Sequence, residues 1–134
     1  MTIFICVDDK NGMMFNERRQ SSDRVVRQKM FEMTGSKPIF MNSYSKKQFV
    51  EEDIITNVAE DFLVLAGEED FCFVENNDLM PYYDKIKSVV LFKWNKVYPS
   101  DRKLDLNVSE MKLVNTLDFE GYSHDKITME VWTK

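Results

Sequence analysis

Asp23 is the residue whose possible chemistry is easiest to define from the sequence. It follows Ser21 and Ser22 and precedes an apolar pattern with helical spacing, so we expect it near the start of a helix. A carboxylate there can accept two hydrogen bonds from the amino-amidine edge of a heterocycle, or steer a proton as a catalytic residue. Favourable interaction with the helix dipole explains an acidic residue at this position equally well. Both interpretations stay open, and Asp23 is the candidate catalytic residue.

Three nearby arginines form a candidate anion-binding group. Arg18, Arg19 and Arg24 carry guanidinium groups that can bind a phosphate or carboxylate through paired hydrogen bonds. Residues 1–50 hold nine Lys and Arg against five Asp and Glu, whereas residues 51–134 hold nine against eighteen, for a net charge of −5. One basic region on an acidic protein favours a small anionic ligand over nucleic acid, although a solvated basic surface is the alternative.

Polar residues follow two apolar segments that are expected to be strands. They are Asn42, Ser43, Tyr44, Ser45, Asn76 and Asn77. The first four stand at a predicted helix start, where backbone N–H groups can bind an anion, although helix capping also explains Ser43. The other two end a strand, where open α/β sheets bind ligands, although asparagine also favours turns. These six residues complete the predicted ligand-binding set.

The single histidine and two cysteines exclude several other classes of site. They cannot supply the ligands of a zinc hydrolase, so no metal site is expected. His124 stands in a turn between two predicted strands, where we expect it at the surface. We expect reduced thiols and a cytoplasmic protein, because nothing in the sequence indicates a disulfide framework. The sequence contains no apolar run of about 18 residues, which predicts no membrane-spanning segment.

The hydrophobic pattern predicts an α/β protein with a mixed, mainly parallel sheet. Residues 3–7, 38–41 and 71–74 are apolar runs typical of strands buried on both faces. A long strand is predicted at 88–94 and a short one at 53–56. The first helix is predicted to begin at a cap formed by Ser21 or Ser22 and to run to about Thr34, with Gly35 as the stop. Further helices are predicted at 42–49, 58–66 and 78–85, whereas residues 13–20 are predicted as a loop. Residues 112–117 and 127–132 alternate, as an antiparallel hairpin does. No linker is evident, so residues 1–134 are predicted to form one domain.

The order of these segments resembles the dihydrofolate reductase family over nearly the whole chain. Cys6–Gly12 is similar to the family's first strand and loop, and Asp23 to its active-site carboxylate. The later similar segments are Lys37–Ser45, Phe71–Asn77, Lys87–Trp94 and Met111–Trp132. The resemblance implies a three-layer α/β/α fold, with the segments around Val7, Phe40 and Val74 side by side. It also implies a cleft for a pterin-like substrate and NADPH.

Several residues differ from the family pattern where the cofactor phosphates bind. Asn42 and Ser43 replace a glycine and a basic residue, and Asn76–Asn77 replaces a Gly-Gly pair. Glycine allows backbone amides to approach a pyrophosphate closely, which a Cβ atom obstructs. We therefore expect a divergent protein that binds a small anionic nucleotide- or pterin-like ligand near Asp23, without folate turnover and with no cofactor.

Two other functions remain open from the sequence. The first is an NADPH-dependent reductase of a pterin or related substrate, with Asp23 as the acid. The second is a protein–protein interaction module that pairs with a partner or with itself as a homodimer, in which the C-terminal hairpin exposes Trp94, Trp132 or Tyr122. The acidic net charge argues against a nucleic-acid partner in each case.

Overall fold

The chain folds into ten strands, three α-helices and two 3₁₀ helices. A computed structural model describes residues 1–134. The strands are β1 (Thr2–Val7), β2 (Gly12–Phe15), β3 (Arg18–Arg19), β4 (Ile39–Met41), β5 (Thr56–Val58), β6 (Phe71–Phe73), β7 (Ser88–Lys93), β8 (Arg102–Lys103), β9 (Lys112–Phe119) and β10 (Ile127–Thr133). The helices are α1 (Arg24–Thr34), α2 (Ser43–Lys46) and α3 (Phe62–Leu65), with 3₁₀ helices at Met80–Lys85 and Val108–Glu110.

Seven strands form one mixed sheet in the order β5-β4-β6-β1-β7-β10-β9. The pairings from β5 to β7 are parallel, whereas β10 runs antiparallel to both β7 and β9. This confirms the predicted mainly parallel sheet with a C-terminal antiparallel hairpin. It also places the segments around Val7, Phe40 and Val74 side by side, because β1, β6 and β4 are neighbours. The short strands β3, β2 and β8 form a separate sheet.

Apolar side chains cover both faces of the seven-stranded sheet, which confirms the three layers. Ile3 and Phe4 are both fully buried but belong to different core clusters, because successive strand residues point to opposite faces. Met30 of α1 packs in the cluster of Phe4, and Leu63 of α3 packs in the cluster of Ile3. The continuous apolar runs therefore reflect strands with helices on either side.

The segment before α1 differs from its prediction. Residues 13–20 were expected to form a loop, but they contain most of β2 and all of β3. Asp23, rather than Ser21 or Ser22, is the N-cap of α1, because its side chain accepts a hydrogen bond from the Val25 backbone N. Gly35 ends α1 as predicted, with a φ of 61° that favours glycine.

The short elements were predicted less accurately than the buried strands. The strand expected at 53–56 lies at Thr56–Val58, and the predicted 58–66 helix is reduced to α3. The last short helix is a 3₁₀ helix, Met80–Lys85, with a proline in its first turn. None of the helices has the length and apolar character needed to cross a membrane.

Candidate functional site

Asp23 is held at the start of α1 by a donor from the first turn of that helix and by donors from one distant segment, residues 122–124. Its Oδ1 accepts hydrogen bonds from the backbone N of Val25 at 2.8 Å and of Tyr122 at 2.9 Å. Its Oδ2 lies 3.0 Å from the Ser123 backbone N and 2.7 Å from His124 Nδ1. Burial alone would raise the pKa of Asp23, but these hydrogen bonds, led by that of His124, lower the pKa to about 2. The side chain is 0% exposed, and a ligand-binding role for it stays a prediction.

His124 lies inside the protein, so the predicted surface position is wrong. The residue is 8% exposed, and its ring stacks on Trp94 with the centroids 4.6 Å apart. Its Nε2 is 2.8 Å from Ser21 Oγ. The turn between β9 and β10 folds back over the start of α1, and Gly121 allows this approach because a Cβ atom there would lie 2.6 Å from Asp23 Oδ2.

A largely buried ion pair connects β3 to the end of β6. Arg19 Nε lies 2.8 Å from Glu75 Oε2, and Arg19 Nη2 lies 3.1 Å from Glu75 Oε1. Glu75 is 8% exposed and also accepts hydrogen bonds from Ser45 Oγ at 2.8 Å and Gln48 Nε2 at 3.0 Å. The structure thus brings the predicted ligand residues Arg19 and Ser45 together, but around a carboxylate of the chain itself.

Three asparagines meet where β4 and β6 end. Asn42 Nδ2 donates to Asn76 Oδ1 at 2.8 Å and to Asn77 Oδ1 at 3.3 Å. Asn42 Oδ1 accepts a hydrogen bond from the Ser45 backbone N at 3.0 Å, which caps α2. The proximity of these residues follows from the adjacent parallel strands that they end.

The start of α2 already holds a carboxylate. Glu60 Oε1 accepts a hydrogen bond from the Ser43 backbone N at 3.1 Å and another from the Ser43 hydroxyl. The hydroxyl, followed by the backbone N–H, lowers the pKa of Glu60 below its usual value. Glu60 therefore occupies the position that the sequence predicted for an external anion near Ser43.

A cavity of about 560 Å³ opens beside Tyr44. Its lining consists of Met14, Glu17, Tyr44, Asn76, Asp101 and Arg102. The hydroxyl of Tyr44 accepts a hydrogen bond from the Arg19 backbone N at 2.9 Å, and the Arg19 guanidinium lies 4.5 Å from the ring centroid. Of the predicted ligand residues, Tyr44 and Asn76 line this cavity.

The two remaining arginines lie elsewhere. Arg18 is exposed, makes no ion pair and lines a second cavity of about 470 Å³ together with Arg19 and Gln20. The Arg24 guanidinium lies 4.1 Å from the centroid of the Tyr122 ring. No group of three or more His, Cys, Asp or Glu residues is placed to hold a metal ion.

Comparison with solved structures identifies the fold. Dihydrofolate reductase from Enterococcus faecalis, in a complex described as containing NADP(H) and RAB-propyl, is similar to this chain with a TM-score of 0.68. The similarity covers 98% of this chain and 94% of that chain, at 6% sequence identity. The chain has a dihydrofolate reductase-like fold. No family model matches the sequence, and no curated protein matches it either.

Sequence reasoning missed four of the six residues that line the larger cavity of this dihydrofolate reductase-like protein. They are Met14, Glu17, Asp101 and Arg102. Pairing between β2 and β8 brings their two segments together, with Met14 opposite Arg102. A two-residue strand inside a polar loop has no hydrophobic periodicity, so the sequence contained no signal for this pairing.

Proposed function

We propose that the protein binds a small nucleotide- or pterin-like ligand in the cavity beside Tyr44 and does not reduce folate. The observation that carries the proposal is the position of that cavity. It lies beside Tyr44 and Asn76, which follow the carboxyl ends of the parallel strands β4 and β6. Open α/β sheets bind ligands at this edge, and small-molecule sites usually have volumes of about 300–1,000 Å³.

The chemistry of the lining favours a ligand with both an anionic group and hydrogen-bond donors. Arg102, which is paired with Asp78 at 3.0 Å, offers a guanidinium to a phosphate or carboxylate. Glu17 and Asp101 offer carboxylate acceptors to hydroxyl or amino groups, and the Asn76 amide can both donate and accept. A nucleotide carries all of these complementary groups, and a pterin with an acidic side chain carries most of them.

The residues at the strand ends do not fit the pyrophosphate of NADPH. The side chains of Asn42, Asn76 and Asn77 are hydrogen-bonded to one another where the family places glycines at the cofactor phosphates. Glu75 adds a carboxylate immediately before them. Side chains and negative charge both oppose close approach of a pyrophosphate, which supports binding without NADPH-dependent turnover.

The proposal includes one domain in the cytoplasm. Both core clusters pack on the same seven-stranded sheet, which supports treating residues 1–134 as one domain. Cys6 and Cys72 are free thiols that pack in different core clusters. Unpaired thiols fit a reducing compartment.

Self-association through β9 is the second candidate function. β9 is the last strand of the sheet, and its outer edge has no partner strand. Leu113, Val114 and Leu117 are each more than 40% exposed on it. Trp94, by contrast, is 2% exposed, so the prediction of an exposed Trp94 on the interaction surface is wrong. An open edge of this kind can pair with the same strand of a second copy.

Thermal denaturation with a ligand panel tests the main proposal. The panel contains linear and cyclic nucleotides, folate, dihydrofolate and NADPH. We expect at least one nucleotide or pterin to raise the Tm, because a ligand that binds only the native state stabilises it. We also expect Arg102→Ala and Asn76→Ala to reduce that rise, and no loss of NADPH absorbance with dihydrofolate.

Lys87→Ala is the matched control variant. Lys87 forms an exposed ion pair with Glu69 at 3.0 Å, as Arg102 does with Asp78, but it does not line this cavity. A ligand response that Lys87→Ala removes and Arg102→Ala preserves would place binding elsewhere. No Tm rise with any member of the panel, or dihydrofolate-dependent NADPH oxidation, would overturn the proposal.

A further inference from the structure

Ser21, His124 and Asp23 form a continuous chain of hydrogen bonds. Ser21 Oγ lies 2.8 Å from His124 Nε2, and His124 Nδ1 lies 2.7 Å from Asp23 Oδ2. A hydroxyl, an imidazole and a carboxylate in this order are the three parts of a serine nucleophile, its general base and the group that orients the base. The three lie outside the ligand cavity described above.

The proton positions in this chain follow from the carboxylate. Asp23, whose pKa is lowered to about 2, is ionised at neutral pH and can only accept hydrogen bonds. A neutral His124 therefore carries its proton on Nδ1 and donates it to Asp23, which leaves Nε2 as an acceptor. The Ser21 hydroxyl then donates to Nε2, as a nucleophile must do before its base removes the proton.

The three hydrogen-bonded residues differ in burial, and the proposed nucleophile is the least buried of them. The side chains of Asp23 and His124 are 0% and 6% exposed, and Trp94 covers one face of the imidazole. Ser21 is only partly buried, so it is the member of the three that is most open to solvent. The imidazole is thus fixed in place, and the hydroxyl belongs to the least buried of the three residues.

The backbone around Ser21 offers donors for a developing oxyanion. The N–H groups of Ser22 and Arg24 donate to no acceptor within the protein. Ser22 directly follows the nucleophile, which is the position that supplies an oxyanion donor in α/β-hydrolases. Gln20, the residue before Ser21, lines the cavity of about 470 Å³ together with Arg18, which has no carboxylate partner.

We propose that Ser21 is the nucleophile of an acyl-transfer site that hydrolyses small esters of anionic acids, with His124 as general base. Ser21 Oγ bonds to the ester carbonyl carbon as its proton moves to His124 Nε2. The ester C–O bond then breaks, and the alcohol leaves with that proton. Water adds to the acyl-serine with His124 as base, which releases the acid and restores the Ser21 hydroxyl.

Covalent labelling tests the nucleophile. We expect a fluorophosphonate to form one adduct, mapped to Ser21 by peptide mass spectrometry, on the full chain.

Ester hydrolysis tests the proposed reaction. We expect p-nitrophenyl acetate and the anionic mono-p-nitrophenyl succinate to be hydrolysed, with the succinate ester preferred because of Arg18. Ser21→Ala should reduce both rates by about 100-fold or more, which is the lower range of general-base catalysis. Ser36→Ala, at an exposed serine beyond the end of α1, should leave both rates unchanged. The absence of a Ser21 adduct, or full activity in Ser21→Ala, would overturn the proposal.

A pair of cysteine variants tests the role of His124 without relying on turnover. Thiolates are the reactive form of cysteine, and an imidazole that accepts the thiol proton increases their population. Ser21→Cys should therefore react with iodoacetamide about tenfold faster at neutral pH than Ser22→Cys, which corresponds to a pKa lower by about one unit. Equal rates for the two variants would contradict His124 as the base.

Discussion

Asp23 and His124, which are 101 positions apart, share a 2.7 Å hydrogen bond between Oδ2 and Nδ1. This hydrogen bond connects the turn between β9 and β10 to the start of α1. The same carboxylate caps the helix and accepts the backbone N–H groups of Tyr122 and Ser123. One side chain therefore joins local helix initiation to long-range tertiary structure, and the stability of both depends on its ionisation.

The first prediction concerns acid denaturation of the Asp23→Asn variant. The pKa of Asp23 falls from an ordinary value of 3.8 to about 2 on folding, so its ionised form stabilises the native state above about pH 4. That stabilisation, about 2 kcal/mol from the size of the shift, should disappear as the pH falls from about 4 through 2. Urea denaturation at pH 7, 5, 3 and 2 should therefore show wild type and Asp23→Asn converging toward pH 2.

Asp61→Asn is the control for that experiment. Asp61 is the N-cap of α3, but its side chain makes no capping hydrogen bond. Its substitution should leave a constant small difference from wild type across the pH series. A difference for Asp23→Asn that stays constant between pH 7 and pH 2 would contradict the prediction.

The second prediction concerns close packing at Gly121. An added Cβ atom would lie 2.6 Å from Asp23 Oδ2 and 2.8 Å from Ile127 Cδ1. Gly121→Ala should therefore lower the free energy of unfolding by about 2 kcal/mol, as overpacking usually does. At Gly67 the nearest atom to an added Cβ is Asp70 Oδ2 at 3.4 Å, so Gly67→Ala should cost clearly less in the same urea titration. Equal losses for the two variants would show that the turn moves away without strain.

The central parallel strands of the sheet were predictable because they are buried on both faces. The continuous apolar segments that became β1, β4, β6 and β7 differ from the alternating segments that became β9 and β10, and this difference separates parallel from antiparallel strands. The same logic placed Asn42 near Asn76, since parallel strands end at one edge. The local hydrophobic pattern of the sequence therefore predicts the strands that position the candidate site.

The polar contacts between side chains at these strand ends and in the turns were not predictable. Glu75 and Arg19 are 56 positions apart, and nothing local indicates that a strand-end carboxylate will accept the guanidinium of a short hairpin strand. His124 was expected at the surface because turns are usually exposed, but stacking on Trp94 and the bond to Asp23 compensate its burial. Such contacts depend on how turns pack on distant elements.

The third prediction concerns the Arg19–Glu75 ion pair. Arg19→Met leaves the nearly buried Glu75 carboxylate with only Ser45 and Gln48 as side-chain donors. We expect a loss of about 3 kcal/mol in the free energy of unfolding, because removing one partner leaves a buried charge uncompensated. The double variant Arg19→Met/Glu75→Gln should recover much of this loss, since it removes that charge.

A double-mutant cycle with urea denaturation measures the coupling between the two residues. Lys87→Ala, which breaks the exposed pair with Glu69, should have a much smaller effect because water screens exposed charges. A double variant that is no more stable than Arg19→Met alone would show that the buried charge is not the cause of the loss.

The fourth prediction tests self-association through the open edge of β9. The outer N–H and C=O groups of this strand have no partner strand, and antiparallel pairing with β9 of a second copy would satisfy them across a two-fold axis. Light scattering coupled to size-exclusion chromatography should therefore show a dimer that forms as the protein concentration rises.

Val114→Lys should shift the protein to monomer, because two copies would place lysines near one another at the new strand pair. Val97→Lys is the control, since Val97 is similarly exposed at 57% against 51% but lies outside the strands. Two outcomes would show that β9 is not the interface: a wild type that stays monomeric at every concentration, or equal dissociation of the dimer by both lysine variants. In either case the exposed edge of β9 must be protected from pairing by the charged residues near its two ends, Lys112 and Asp118.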